Sequence, residues 1–269
     1  MSVQSIRKVV LIGAGNLATQ LGLAMKRNAI EVIQVCDRTP ANGLRLAKKL
    51  GAEYVQDPGQ LLYHADLYIL SISDKAIAQV AERINLPDRL VIHTSGSVGM
   101  DVLKKVSPRI GVWYPLQTFS KHRRISFRGI PVCVEAGNIN DQKSLVELGT
   151  LLSGNVHLID SNQRRVVHMT AVFANNFTNF MFAIAEDLLH TYQIPFDLLK
   201  PLIQQTAENV RHEELFRHQT GPAIREDLAV MEEHLGILEQ HPAYRDIYEL
   251  ISRSIIQYKK AHGQLQGTA

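Results

Sequence analysis

The sequence contains only two cysteines, Cys36 and Cys133, set far apart inside apolar runs. Without a secretory signal, that pattern predicts two buried thiols rather than a disulfide. There is no Cys-x-x-Cys and no His-x-x-x-His spacing, so no metal site is expected. Charge of one sign is scarce as well: Lys+Arg number 29 against Asp+Glu 26, a net +3. So weak a field predicts no nucleic-acid partner, although it leaves small anionic ligands open. Long hydrophobic runs are missing. The first, Val9–Ile12, stops at Gly13, too short for a membrane span or a signal segment. A soluble cytoplasmic protein with no membrane partner is the expectation.

What is present is enough for a folded core. Of 269 residues, 45% are hydrophobic, and the charges are too evenly mixed for a disordered chain. That length predicts one large domain or two smaller ones. Up to about residue 160 the chain alternates short apolar runs with amphipathic stretches. The runs are 8–13, 31–36, 67–72, 89–94, 109–114, 130–135 and 155–160. Continuous Val- and Ile-rich runs mark strands buried on both faces. Helices are predicted at Asn16–Arg27, Pro40–Leu50 and Asp74–Ile84, from a glycine turn, a proline start and a capping residue. Strand–helix–strand order means mainly parallel pairing.

Beyond Asp160 the pattern changes. From Gln163 to Tyr192 there is neither Gly nor Pro, and the period is helical. As one helix, this stretch would be about 45 Å long. Further helices are predicted at Pro195–Arg211, Pro222–Glu239 and Pro242–His262. The expected fold is therefore α/β, a doubly wound sheet over 1–160, followed by an all-helical domain over 161–269. The tail from Gly263 is expected to fray.

The first strand runs into Gly13-Ala14-Gly15-Asn16-Leu17-Ala18, a G-x-G-x-x-A turn opening a helix. Gly13 suits the tight turn, Gly15 lets a pyrophosphate approach the backbone, and Ala18 lets helix and strand lie close. The N–H groups of Asn16 and Leu17 at a positive helix end favour phosphate. The second strand ends at Asp37-Arg38-Thr39. A carboxylate there accepts hydrogen bonds from a ribose diol and favours NAD. The Arg38 guanidinium and the Thr39 hydroxyl suit a 2′-phosphate and favour NADP. The two signals conflict, with the balance toward NADP and NAD left open.

Two later strands end at Ser71-Ile72-Ser73-Asp74 and His93-Thr94-Ser95-Gly96-Ser97. Carboxyl ends of parallel strands line the ligand crevice, so Ser71, Ile72, Ser73, His93 and Ser95 are candidate cofactor contacts. Asp74 reads better as a helix cap than as chemistry. His93 reads either as a proton-transfer group or, more simply, as a packed histidine. Trp113 and Tyr114 read as packing residues.

The glycine turn, the Asp37-Arg38-Thr39 segment and these strand ends resemble the NADP-binding domain of pyrroline-5-carboxylate reductase and the F420-dependent NADP oxidoreductases. Trp113–Phe119, His168–Asn179 and Gln219–Arg225 look like proteins carrying a DUF2520 C-terminal domain. The resemblance covers nearly the whole chain. It implies a helical domain similar to the 6-phosphogluconate dehydrogenase C-terminal domain, built into a homodimer, and an NADP-linked oxidoreductase acting on a small molecule. It does not imply a settled substrate. The related β-hydroxyacid dehydrogenases carry G-x-x-x-K-x-x-x-N on a helix. No lysine occurs here between Lys143 and Lys200, so that lysine's proton-transfer role is not expected.

The long helix offers other groups. At 100° per residue, His168, Val172, Asn175 and Asn179 fall within roughly 60° of one another. Polar residues on an apolar face need hydrogen-bond partners. Facing a crevice, His168 would act as a general acid, and Asn175 and Asn179 would hold a carbonyl or imine. The competing reading is a polar seam between helices. Thr220–Ala223 opens a late helix whose N–H groups suit a substrate carboxylate or a cofactor phosphate, and Arg225 is a candidate clamp for a carboxylate. The simpler reading there is a plain helix start with an Arg225–Asp227 pair. His212, His218 and His234 read as surface or interface residues. Lys121–Arg124 reads as a solvated basic loop that an anionic tail would also suit. The functional expectation is hydride transfer between a nicotinamide and a small carbonyl, imine or alcohol. The alternative is a non-catalytic dinucleotide-binding sensor or assembly module.

Overall fold

The computed structural model describes residues 5–123, 125–211 and 215–263. Arg124, His212 and the tail from residue 264 lie outside the described residues. The chain divides into two compact units, Met1–Ala174 and Asn175–Ala269.

The first unit is built on one sheet. Its strands are β1 (Lys8–Ile12), β2 (Glu31–Cys36), β3 (Glu53–Val55), β4 (Leu67–Leu70), β5 (Leu90–His93), β6 (Ile110–Pro115), β7 (Val132–Ala136) and β8 (Val156–Leu158). Their order is β3-β2-β1-β4-β5-β6-β7-β8. The direction of travel reverses between β1 and β4, so a crevice opens at their carboxyl ends. Alternate residues of the same strands enter separate cores on the two faces. Val9, Leu11, Ile69 and Ile92 go to one, and Val10, Ile12, Leu70 and Val91 to the other. Burial on both faces is why the runs read as continuously apolar.

Helices α1 (Asn16–Arg27) and α2 (Pro40–Leu50) take the predicted ranges, and α3 spans Asp74–Ala81. One strand and one α-helix of this unit went unpredicted, β3 and α4 (Ile139–Leu152). The Asn138 side chain caps α4 by accepting from the amides of Asn140 and Asp141. Pairing is parallel except at β6–β7, which is antiparallel with Trp113 opposite Val134. The segment joining these two strands carries no helix among its described residues, so no crossover reverses the chain. Both cysteines are buried free thiols, as expected.

The run from residue 161 to 191 is helical, but not as one α-helix. It comprises α5 (Ser161–Ala171), a π-helical segment at Val172–Phe177, and α6 (Thr178–Thr191). A π segment bonds each residue to the fifth before it, so the 100° count does not hold across it. The single stripe joining His168 to Asn175 and Asn179 therefore loses its geometric basis.

The second unit contains α7 (Lys200–Asn209), α8 (Pro222–Arg225), α9 (Leu228–Ile237) and α10 (Pro242–Gly263). The single helix expected at Pro222–Glu239 is broken. Glu226 takes a positive φ of 57°, and Asp227 restarts the chain by capping Val230. No described helix is long and apolar enough to cross a membrane.

Candidate functional site

A cleft of about 760 Å³ opens along the carboxyl ends of β1, β2 and β4. Of the predicted contacts, Gly13, Gly15, Asn16, Leu17, Asp37, Arg38, Thr39, Ser71, Ile72, Ser73 and Ser95 all line it. Sequence reasoning missed others on the same wall, including Asn42, Gln56 and Arg83, while Lys121, from the loop read as a basic run open to an anionic tail, also lines it.

The glycine turn is shaped for close approach. Gly13 has φ +114°, and a Cβ there would stand 2.3 Å from the Ser71 carbonyl oxygen. Only glycine fits that gap. At Gly15 the opposite holds, since nothing lies within 4 Å of where a Cβ would be. Gly15 caps α1 without a side chain, and no acidic residue occupies the first turn. The first helical bond runs from Thr19 N to Gly15 O at 3.0 Å, so the amides of Asn16, Leu17 and Ala18 point out of the helix start without intrahelical partners. Open space before free amides at a positive helix end fits a diphosphate.

Asp37 is already engaged. One carboxylate oxygen accepts from Ala14 N at 2.7 Å and the other from Thr39 N at 2.8 Å. The group that sequence reasoning assigned to a ribose clamps the glycine turn to the end of β2. Arg38 and Thr39 are exposed beside it, and Arg83 joins the wall while pairing with Asp57 at 2.9 Å. Two guanidiniums on this wall fit a phosphate better than a bare diol. Lys121 reaches the cleft because Gln20, on α1, pins its loop by donating to the Ser120 and Arg123 carbonyls at 2.6 and 2.7 Å.

His93 does not line the cleft. It is fully buried, and burial lowers its pKa to about 4. Its Nδ1 accepts from Ser95 N at 3.2 Å and its Nε2 faces the Gly99 carbonyl at 3.4 Å, the pattern of a neutral ring holding a turn. The Ser95 hydroxyl also serves this turn, accepting from Ser97 N and Val98 N. Asp74 is the first residue of α3 rather than its cap, and it accepts from the Ser97 hydroxyl at 2.5 Å.

Immediately after Ser95, Gly96 makes room for a second cluster. A Cβ on Gly96 would stand 2.8 Å from both His168 Nδ1 and Tyr114 Cζ. Those two side chains meet edge-to-face, with Tyr114 Oη 3.1 Å from His168 Nδ1. His168 is held there from one turn earlier on α5. Arg164 is fully buried, pairs with Glu135 at 2.5 Å and donates to the Val98 carbonyl at 2.6 Å. Ser161 donates to the same Glu135 carboxylate at 2.7 Å. A buried arginine looks like any surface arginine in sequence, so this anchor was missed. The i, i+4 spacing of Arg164 and His168 was its only signal.

The remaining candidates lie in the second unit. Asn175, Asn179 and Arg225 are all exposed. The Arg225–Asp227 pair does not form, because Asp227 turns to cap α9. His234 pairs with the Tyr248 hydroxyl at 2.9 Å. No group of three or more metal-ligating side chains occurs among the described residues.

Residues 8–96 match the family described as NADP oxidoreductase, coenzyme F420-dependent, and residues 130–255 match DUF2520, a domain of unknown function. Among solved structures, a candidate NADP oxidoreductase from Bacteroides fragilis is 42% identical, with 95% of this chain and 100% of that one covered and a TM-score of 0.85. A Thermotoga maritima protein is 20% identical over 94% of this chain and 99% of its own, with a TM-score of 0.70. A reductive aminase from Aspergillus terreus in complex with NADPH and ethyl-5-oxohexanoate is 13% identical over 97% of this chain and 95% of its own, with a TM-score of 0.72. At those lower identities the likeness is one of fold. Comparison with curated proteins finds no match.

Proposed function

The chain belongs to the oxidoreductase family that joins an F420-dependent-type NADP oxidoreductase domain to a DUF2520 domain, and on that premise we propose that it reduces a small carbonyl or imine, or oxidises the matching alcohol or amine, with NADP. The observation that carries this reading is the cleft itself. An open helix start, two arginines and the strand ends Ser71–Ser73 and Ser95 line one continuous wall. The residues fit the cofactor group by group. The amides after Gly15 take the diphosphate, Arg38 and Thr39 take the 2′-phosphate, and the small residues at the ends of β4 and β5 leave room for a flat ring.

When bound, the cofactor supplies or accepts a hydride at its nicotinamide. The chain must then orient the partner and move one proton. His168 is the group for that proton. Its ring is fixed at Nδ1 by Tyr114, and among the described residues Nε2 makes no hydrogen bond. Gly96, which seats His168, follows directly on Ser95 of the cleft wall.

The test is substrate-dependent consumption of NADPH over a panel of small ketones, cyclic imines and ketone–amine pairs. Turnover with any of them, falling about 100-fold or more in His168→Ala while NADPH affinity stays within about twofold, supports the reading. Turnover unaffected by His168→Ala would remove His168 from it.

A further inference from the structure

We propose that Tyr114 is the positioning residue that fixes which ring nitrogen of His168 is available for proton transfer. This deepens the reading above, since it names the group through which His168 acts. The tyrosine sits near the end of β6, opposite Cys133 of β7. It is half-buried, and that burial raises the phenol above its ordinary range, so it stays protonated at neutral pH. A protonated phenol donates to Nδ1 of a neutral imidazole and leaves the ring proton on Nε2. The same oxygen accepts from Nδ1–H when the ring is charged. One hydroxyl therefore serves both protonation states of His168 without the ring turning.

Three independent features converge on this pair. Gly96 removes the one side chain that would separate the rings, since its Cβ would stand 2.8 Å from each. The buried Arg164–Glu135 pair fixes the turn of α5 that carries His168. The titratable groups near the phenol besides His168 are Asp74, Cys133 and Arg164; Asp74 is engaged by the Ser97 hydroxyl and Arg164 by Glu135. A packing tyrosine would need none of this, because phenylalanine would fill the same space.

The test reads the ring nitrogens directly. Nitrogen-15 imidazole spectra of the apo protein, with the His168 signals assigned by their loss in His168→Gln, should show the Nε2–H form dominant. In Tyr114→Phe the ratio of Nε2–H to Nδ1–H should fall about tenfold. Gly96→Ala keeps the hydroxyl but forces the rings apart, and it should shift the same signals. Both variants should bind NADPH within about twofold of the parent, because neither residue lines the cleft. Spectra unchanged in folded Tyr114→Phe would overturn the proposal. Failure of the parent to bind NADPH would instead sink the cofactor reading and leave the ring measurement standing.

Discussion

Asp37 and Ala14, 23 residues apart in sequence, are joined by a 2.7 Å hydrogen bond from amide to carboxylate. This bond ties the glycine turn to the end of β2, where sequence logic placed a contact to ribose. If the carboxylate is mainly a clamp, its removal loosens the diphosphate cradle without changing which dinucleotide is preferred. Asp37→Ala should cost about 1–2 kcal/mol in urea unfolding, given two lost bonds at a partly exposed site. NADPH and NADH affinities should fall in parallel. A selective gain for NADPH would show instead that Asp37 meets the ribose.

The two turn glycines should respond in opposite ways to a methyl group. Gly13→Ala meets the Ser71 carbonyl and a left-handed backbone, so destabilisation of at least about 3 kcal/mol is expected. Gly15 has φ −75° and empty space around it, so Gly15→Ala should melt close to the parent temperature. Its affinity for NADPH should nevertheless fall at least about tenfold, because the methyl would stand where the proposed cradle admits the diphosphate. Thermal melting and calorimetry separate the two effects.

Much of this was legible in the sequence, for physical reasons that differ by element. The turn 13–18 was legible because a close approach admits only small residues, and α1 and α2 because their starts and stops are local. The β6–β7 reversal was not, since strand direction depends on what the connecting segment does. Nor was the π-helical segment, because neither Gly nor Pro marks it. The Arg225 helix was overread, as Asp227 signals a cap as readily as a partner. Arg164, Glu135 and Tyr114 were invisible as a group because they come from three distant segments and meet only when β6, β7 and α5 pack.

Acid should weaken the fold through His93. Its pKa is about 4 in the folded chain against 6.5 ordinarily, so the unfolded chain binds an extra proton between those values. Stability is therefore complete above pH 6.5 and declines as the pH falls toward 4, by about 3 kcal/mol at most. His93→Asn should lose this slope in denaturation measured across that range. A parent protein equally stable at both ends would contradict the neutral, buried assignment.

The helical unit exposes Phe177, Phe180, Leu198, Leu202, Leu228 and Leu250. Large apolar residues in that number predict burial against a second copy of the chain. Light scattering at micromolar concentration should give twice the 30.1 kDa chain mass. A monomer at that concentration would contradict the prediction.

The most direct test of the central claim is calorimetric titration of the parent and of Arg38→Ala with NADPH and with NADH. NADPH should bind the parent at least about tenfold more tightly than NADH, and Arg38→Ala should close that gap while sparing NADH. No binding of either dinucleotide at millimolar concentration, or equal binding of both by the parent, would contradict the account.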